Sequence, residues 1–432
     1  MIPINNMETI PFAHPYIGKE EEEAVIAVLR SRWLTTGKET IGFEKDFEDF
    51  FRKQGSGNFM GSDSDLFCMA VNSATSGLHL ALEACGIGKG DLVLVPSMTF
   101  TSTAAVVRHL GADVVFVDVS KGSFHMDPAA LERTLERLKQ GNPAYPPRRA
   151  GGGGSGEGFG PRGQARAVMP VHYGGLPCDM DAILPIAEKY GLKVIEDAAH
   201  SFPSFVEGKA QTGRWAGLMG NAGVFSFYTT KTITTGEGGM VVTRNTAIAD
   251  RIKIMRSHGI DRSVWNRYTD TKASWYYEVV APGFKYNIPD ILSALGRVQL
   301  SRAMELFSMR KEIAGVFDEA FGSCPQFAIP PTGKGDARHL YPLRLNLPKL
   351  SIDRNKFAEK LQEQGVGISV HFIPLHIMPY YRERYSMRDD CLKETMESYQ
   401  RVISLPLWPG MNDEQITRVI KVVKTLGSEY TV

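Results

Sequence analysis

Four short stretches of this 432-residue chain combine residue types that do chemistry with positions from which they can meet. In FSFYTTKTITTGEGGM (225–240), Lys231 stands between an apolar, strand-like run carrying Ser226 and a loop rich in threonine and glycine. Glycines there let backbone approach a ligand closely. Such a lysine is a solvated strand-end residue, a phosphate ligand, or an amine held for covalent chemistry; partial desolvation favours the neutral form that an amine nucleophile needs. In NSATSGLHLAL (72–82), Ser73, Thr75, Ser76 and Gly77 open a helix directly after another apolar run. Unpaired N–H groups and the helix dipole favour an anion at that point, although a plain N-cap has the same sequence. In VIEDAAHS (194–201), Glu196 and Asp197 end a buried strand, a costly place for a carboxylate without a partner. Asp197 either holds a protonated ring nitrogen or caps the residues that follow, and His200 is either a ligand contact or a hydrogen-bonded core histidine. In PSMTF (96–100), Phe100 either stacks on a flat cofactor or belongs to the core.

An anion cradle, a buried carboxylate, a lysine and an aromatic ring match the needs of pyridoxal 5′-phosphate. The phosphate requires the cradle, the pyridinium nitrogen the carboxylate, and the aldehyde the lysine. On this reading Lys231 is a Schiff-base lysine. The four stretches can converge only if the fold brings strand ends to one edge, as a parallel sheet does. The chain is patterned for that. Apolar runs at 67–71, 91–96, 113–118, 167–172, 192–197 and 222–227 read as strands covered on both faces. Between them, SGLHLALEACG and DMDAILPIAEKYG have helical spacing and end on glycine. The alternation predicts an α/β layered domain with a mostly parallel sheet and helices on both faces. After about residue 290 the pattern changes to one or two long helices, and 341–432 reads as a smaller α+β lobe. The expected division is a large domain over 1–300, with an N-terminal arm, and a small C-terminal domain over 301–432. The segment at about 141–164 is rich in Gly, Pro and Arg, nearly devoid of apolar residues, and reads as a mobile surface loop.

Composition narrows the partners. Lys and Arg number 49 against 48 Asp and Glu, a balance that argues against a general nucleic-acid or anionic-membrane binder. The five cysteines are scattered and lack CxxC spacing, so reduced thiols in a cytoplasmic protein are expected, with no disulfide framework and no metal site. The first residues have no basic segment followed by an apolar one, and no apolar run is long enough to cross a bilayer, so no secretory signal and no membrane partner are expected.

At these residues the chain resembles the DegT/DnrJ/StrS family of sugar aminotransferases, a branch of the fold-type I pyridoxal phosphate-dependent transferases. The resemblance covers nearly the whole chain and includes WLTTGKETIGFEKDFEDFF, NSATSGLHLAL, VPSMTFTSTAAVV, GADVVFVDV, VHYGGLPCDMDAI, VIEDAAHS, FSFYTTKTITTGEGGMV, MRSHGI, GFKYNIPDILSALGRVQL and ISVHFIPLHIMPYY, in family order. It implies that Lys231 carries the cofactor and shuttles a proton, and that Asp197 pairs with the ring nitrogen. It further implies that Thr75, Ser76 and Ser226 bind the phosphate, that Phe100 stacks on the ring, and that His200 lies on its 3-hydroxyl side. Trp33, Thr35, Thr36 and Gly37, with His371, His376 and Tyr380, would line the sugar-nucleotide site. The family implies a homodimer with shared sites, in which Lys285 of the GFKYNIPD loop reaches the other subunit's phosphate. Two departures stand out: GFKYN replaces the common GYNYR, putting Lys285 and Asn287 at exchanged positions, and the 141–164 segment is an insertion.

The activity so implied is transfer of an amino group from an amino acid, by analogy glutamate, to a nucleotide-linked keto-sugar. Pyridoxamine 5′-phosphate would be the intermediate cofactor form, and the product an amino sugar for a surface polysaccharide or other glycan. Two rivals remain on the same fold. A sugar dehydratase is disfavoured because Lys231 is kept and no cysteines cluster; a non-catalytic regulator is disfavoured because no basic helix-turn-helix module is appended.

Overall fold

The computed structural model describes residues 9–54, 65–141, 163–206, 214–261 and 277–432. Apart from its ends, the expected loop at 141–164 lies outside the described residues. The strands of the first lobe are β1 (Phe67–Val71), β2 (Asp91–Pro96), β3 (Asp113–Val117), β4 (Gln164–Val168), β5 (Lys193–Asp197), β8 (Ala222–Ser226) and β9 (Gly239–Thr243), with β6 (Phe205–Val206) and β7 (Arg214–Trp215) forming a separate two-stranded ribbon. The seven-stranded sheet runs in the order β1-β9-β8-β5-β4-β2-β3. From β3 to β8 every pairing is parallel; β8–β9 and β9–β1 are antiparallel.

The two sheet faces are read directly from alternating side chains. Met69 and Val71 of β1, Val224 of β8 and Val241 of β9 enter one core with Leu78 and Leu82 of helix Ala74–Ala84. Cys68, Ala70, Phe225, Met240 and Val242 point the other way, onto Phe43, Phe47 and Phe51 of helix Lys38–Gln54. Helices thus cover both faces, as the unbroken apolar runs anticipate.

Within the seven-stranded sheet, two strand assignments differ from the sequence reading, and the short ribbon β6–β7 was not expected. The run at 167–172 pairs as a strand only to Val168, because Pro170 has no N–H to give; beyond it the chain still tracks β5, with Asp197 N donating to Pro170 O at 2.9 Å and His172 N to Asp197 O at 3.1 Å. β9 had no place among the expected strands, since its glycine-rich approach masks the apolar run that follows.

The second lobe has a three-stranded sheet, β10 (Phe327–Ala328), β11 (Tyr341–Leu345) and β12 (Val402–Leu405), packed with helices Arg354–Glu363 and Asp413–Glu429. Ile10, ahead of the first lobe in sequence, packs in this second core and bonds Gly365 and Gly367 through its backbone. Helix Asp290–Ser301 is followed at once by helix Ala303–Gly322, whose Leu306 lies in a first-lobe core and whose Phe317 and Phe321 lie in the second. That helix is the mechanical link between lobes.

Candidate active site

The C-terminal ends of β5 and β8 and the segments after β1 and β2 open on one cavity of about 470 Å³. Its wall includes Ser73, Ala74 and Thr75 from the start of helix Ala74–Ala84, Phe100 after β2, Asp197 and His200 after β5, and Ser226 and Lys231 after β8. The four stretches singled out in the sequence therefore meet. The small lobe closes the other side with His339, Ser369, His371 and Phe372.

The helix start is pressed against the sheet by a glycine. A Cβ at Gly239 would fall 2.8 Å from Ala74 N and 2.9 Å from Phe225 O, so a larger residue there would push the helix away. Ser73 caps the helix, accepting from Ser76 N at 3.1 Å. Ser76 is turned into the cap: its hydroxyl has Asn72 Oδ1 at 2.7 Å and Ser73 O at 2.8 Å as acceptors for its one hydrogen, and it is not part of the cavity wall. Thr75 and Ser226 are, and the Ser226 hydroxyl accepts from Tyr228 N at 3.3 Å.

Glu196 and Asp197, neighbours on β5, separate by face. Glu196 is fully buried and accepts from Gly217, Met219 and Gly220 N–H groups at 2.6–2.8 Å and from His172 Nε2 at 2.8 Å. It organises the loop before β8. Asp197 faces the cavity, its Oδ2 accepting from Thr103 Oγ1 at 2.8 Å and its Oδ1 from Ala199 N at 3.2 Å. Burial pushes the Asp197 carboxyl above its usual range, opposed by the Thr103 and Ala199 bonds and by Lys231 nearby. A carboxylate so desolvated, with neutral donors as its hydrogen-bond partners, suits a ligand that brings a proton.

Lys231 sits half-buried on the cavity wall, in a turn held by Lys231 N donating to Tyr228 O at 2.9 Å and Thr234 Oγ1 donating to Phe227 O at 3.0 Å. Desolvation of its amine lowers the pKa from 10.5 to about 7, with Arg310 pushing the same way and Asp197 opposing. About half of the amine is thus neutral at pH 7, far more than for an ordinary lysine. In the cofactor-free protein the unfolded chain keeps this proton between pH 7 and 10.5 while the folded chain has lost it, so the residue's contribution to stability rises with pH across that window. Lys231→Met is expected to remove the rise. Urea midpoints of variant and wild type should differ most near pH 7, with the variant higher, and converge toward pH 10. Parallel curves would contradict the lowered pKa.

Three histidines complete the wall in neutral form. Burial holds His200 and His339 well below the usual imidazole range and His371 at about 3, and the charge of Lys231 adds to each effect. The His200 and His339 ring centres are 4.6 Å apart, and His200 stacks on Phe372 at 5.8 Å. Gly174 N donates to His200 Nδ1 at 3.3 Å, which leaves the proton on Nε2. Phe100 is 56% exposed, an unusual state for a phenylalanine, with its ring open to the cavity.

Other expected site residues lie elsewhere in the chain. His376 is fully buried, its Nδ1 2.7 Å from Ser97 Oγ, and Tyr380 is exposed beside Arg108 at 3.4 Å; neither is on the cavity wall. Thr36 and Gly37 form the entry to helix Lys38–Gln54, where Asp290 Oδ1 accepts from Gly37 N at 2.7 Å and Thr40 N at 3.0 Å. Thr35 O accepts from Asp290 N at 3.3 Å in the same turn, and Trp33 lines a separate cleft of about 390 Å³ walled by this helix and helices Lys19–Ser31 and Asp290–Ser301. Lys285 is exposed and donates to Asn287 Oδ1, outside its own chain's cavity. Its loop is pinned by Asn72 N donating to Tyr286 O at 2.8 Å and by Tyr286 Oη lying 3.1 Å from His79 Nδ1. Sequence reasoning missed Thr103 and, from the small lobe, His339, Ser369 and Phe372, but included His371. Thr103 had a signal, standing four residues after Thr99 in the first turn of a helix beside Phe100; His339 and Ser369 had none.

The fold and the cavity define a two-lobed α/β protein built around a neutralised lysine, of the fold-type I transferase architecture. The chain belongs to the DegT/DnrJ/EryC1/StrS aminotransferase family, whose profile matches residues 15–424. It is 38% identical over 422 residues to the spore coat polysaccharide biosynthesis protein SpsC of Bacillus subtilis, covering 96% of this chain and 97% of that one. It is 40% identical over 423 residues to an uncharacterized protein of Methanocaldococcus jannaschii, covering 97% and 98%. Among solved structures, Helicobacter pylori PseC, an aminotransferase involved in the biosynthesis of pseudoaminic acid, superposes with a TM-score of 0.80 at 25% identity, covering 98% and 100% of the two chains. Spr1654 of Streptococcus pneumoniae in its PMP form superposes with a TM-score of 0.81 at 26% identity, covering 97% and 99%, and its PLP form is also similar.

Proposed function

We propose that this protein is a pyridoxal phosphate-dependent aminotransferase that moves an amino group from L-glutamate to a nucleotide-linked keto-sugar, making an amino sugar for a surface polysaccharide or other glycan in the cytoplasm. The observation that carries the reading is the pairing, across one cavity, of a near-neutral Lys231 with a desolvated Asp197 whose hydrogen-bond partners are neutral, next to an open helix N-terminus. The names of SpsC and PseC support a glycan setting.

The residues fit the cofactor. Thr75, Ser226 and the N–H groups opening helix Ala74–Ala84 would hold its phosphate, Asp197 its ring nitrogen, and Phe100 its ring face. When bound, pyridoxal phosphate supplies a carbonyl for covalent attachment and a sink for carbanion charge. Lys231 Nζ would provide the attachment; once free, its neutral amine would take the proton from the α-carbon of the amino donor and, in the second half-reaction, deliver a proton to the sugar carbon that becomes the amine-bearing one. Asp197 Oδ2, held by Thr103, keeps the opposing proton in place. His200, His339 and His371 stay neutral and offer hydrogen bonds without adding charge.

The test is incubation with glutamate and a panel of UDP-, dTDP- and GDP-linked 3-keto and 4-keto sugars, read by mass spectrometry of the product. An amino sugar with equimolar 2-oxoglutarate is expected. A deoxygenated keto-sugar would instead mark a dehydratase, and binding without any turnover would overturn the enzymatic reading.

The working unit in this reading is a homodimer in which Lys285, turned away from its own cavity, meets the phosphate held by the other subunit. Lys285→Ala is then expected to weaken cofactor retention by about 1.5–3 kcal/mol, the range for a bond to a charged group, with the melting temperature of the cofactor-free protein unchanged. If that variant is strongly impaired, mixing Lys231→Ala chains with Lys285→Ala chains should restore activity, up to one working site per heterodimer. No recovery despite proven subunit exchange would show that each chain builds its site alone.

A further inference from the structure

Arg310 lies at mid-length in helix Ala303–Gly322, the link between the lobes, and is only 2% exposed. Its Nη1 donates to Leu407 O at 2.8 Å and to His339 O at 3.3 Å, and its Nη2 donates to Thr230 O at 3.3 Å. The described residues offer it these carbonyls and no carboxylate, and Nε has no partner among them. Burial lowers its pKa only to about 10, so it remains a cation at neutral pH. A buried cation without a counter-ion is costly, and a methionine of similar length would fill the space at lower cost if packing were its whole purpose.

The acceptors explain the placement. Thr230 immediately precedes Lys231, so the Thr230–Lys231 peptide is held at both ends: its carbonyl by Arg310 and its N–H by Tyr228 O at 2.9 Å. His339 lines the cavity, and Leu407 belongs to the small-lobe core. One guanidinium therefore ties the lysine's turn, a cavity wall and the second lobe together, which the planar fork of arginine can do and a single ammonium cannot.

We propose that Arg310 is a positioning residue for Lys231: it locks the Thr230–Lys231 peptide to the small lobe and keeps a fixed positive charge beside the lysine amine. The charges and titratable groups that face this amine are Asp197, which stabilises its protonated form, Arg310, which opposes it, and the neutral His200, His339 and His371. Arg310 is the one charge in this set that favours the neutral amine. The inference rests on the proposed role of Lys231, but the experiment can be read without cofactor.

In the full-length cofactor-free protein, the ionisation of Lys231 is followed by the pH dependence of its acylation by acetic anhydride, quantified by peptide mass spectrometry. Arg310→Met should move the labelling midpoint upward; a rise of about one pKa unit from a midpoint near 7 would slow labelling at pH 7 roughly fivefold. Arg310→Lys keeps the charge and should keep the midpoint. It loses the fork, so amide hydrogen exchange in the turn at 230–235 should accelerate roughly tenfold, the equivalent of one lost charge-assisted hydrogen bond. A folded Arg310→Met protein with an unchanged midpoint overturns the proposal. If Arg310→Met does not fold, unchanged exchange in Arg310→Lys does so. Failure of wild-type protein to take up pyridoxal phosphate would sink the proposed function while leaving the labelling result readable.

Discussion

Lys231→Ala is expected to abolish transamination, lowering kcat by at least ~10²–10⁴-fold, the range contributed by a positioned proton-transfer group. The loss should be larger than that from any other single substitution, because the same amine is proposed both to anchor the cofactor and to move the proton. The spectroscopic signature is separate from the kinetic one: the visible band of the lysine-attached cofactor should be missing, even where pyridoxal phosphate still binds through the helix N-terminus. Added methylamine should restore a small part of the activity, since the proton acceptor is then supplied from solution. A variant that keeps both the band and wild-type turnover would mean that another group does this chemistry. Among the described residues lining the cavity, Lys231 is the only amine.

Asp197→Asn should cost roughly 10²–10³-fold in kcat, the effect of removing one preorganised electrostatic partner of the reacting centre. The substitution preserves volume; Ala199 N can still donate to the amide oxygen, and the Thr103 hydroxyl can turn to accept from the amide nitrogen, so the fold should survive. What is lost is the negative charge. Burial already raises the Asp197 pKa, so the carboxylate is costly in the empty site and gains most when a cationic ring nitrogen arrives. Two opposite outcomes are therefore expected together: the cofactor-free variant should melt no lower than wild type, while cofactor affinity and turnover both fall. Turnover equal to wild type would show that Asp197 is only a structural cap. Glu196→Gln offers the contrast. Its carboxylate organises the 217–220 loop through three backbone N–H groups, so its replacement should lower the melting temperature with or without cofactor.

Much of this was legible in the chain because local rules and site chemistry coincide here. Apolar runs of five or six residues alternating with helical periodicity specify a doubly covered, mostly parallel sheet, and in such a sheet the residues after strand ends must gather. That is why Lys231, Asp197, Thr75 and Phe100 could be grouped before any contact was known, and why all four line one cavity. The antiparallel edge formed by β9 and β1 was not legible, because strand pairing across more than 150 residues leaves no local mark in either strand.

The sequence by itself determined the layered α/β architecture, the lysine, a pair of carboxylates at a strand end and the helix start, since each depends on residue type and on neighbours a few positions away. Only the tertiary structure decided which of two adjacent carboxylates faces the cavity, because side chains on a strand alternate and the buried face is set by what packs against it. It decided likewise that Ser76 is spent in its own cap, that His371 rather than His376 reaches the cavity, and that Lys285 points away from its own site. Arg310 is the clearest case. Its position on a long helix carries no local signal, and its partners Thr230, His339 and Leu407 lie 80, 29 and 97 residues away; the helix linking the lobes is what brings them within reach of one guanidinium.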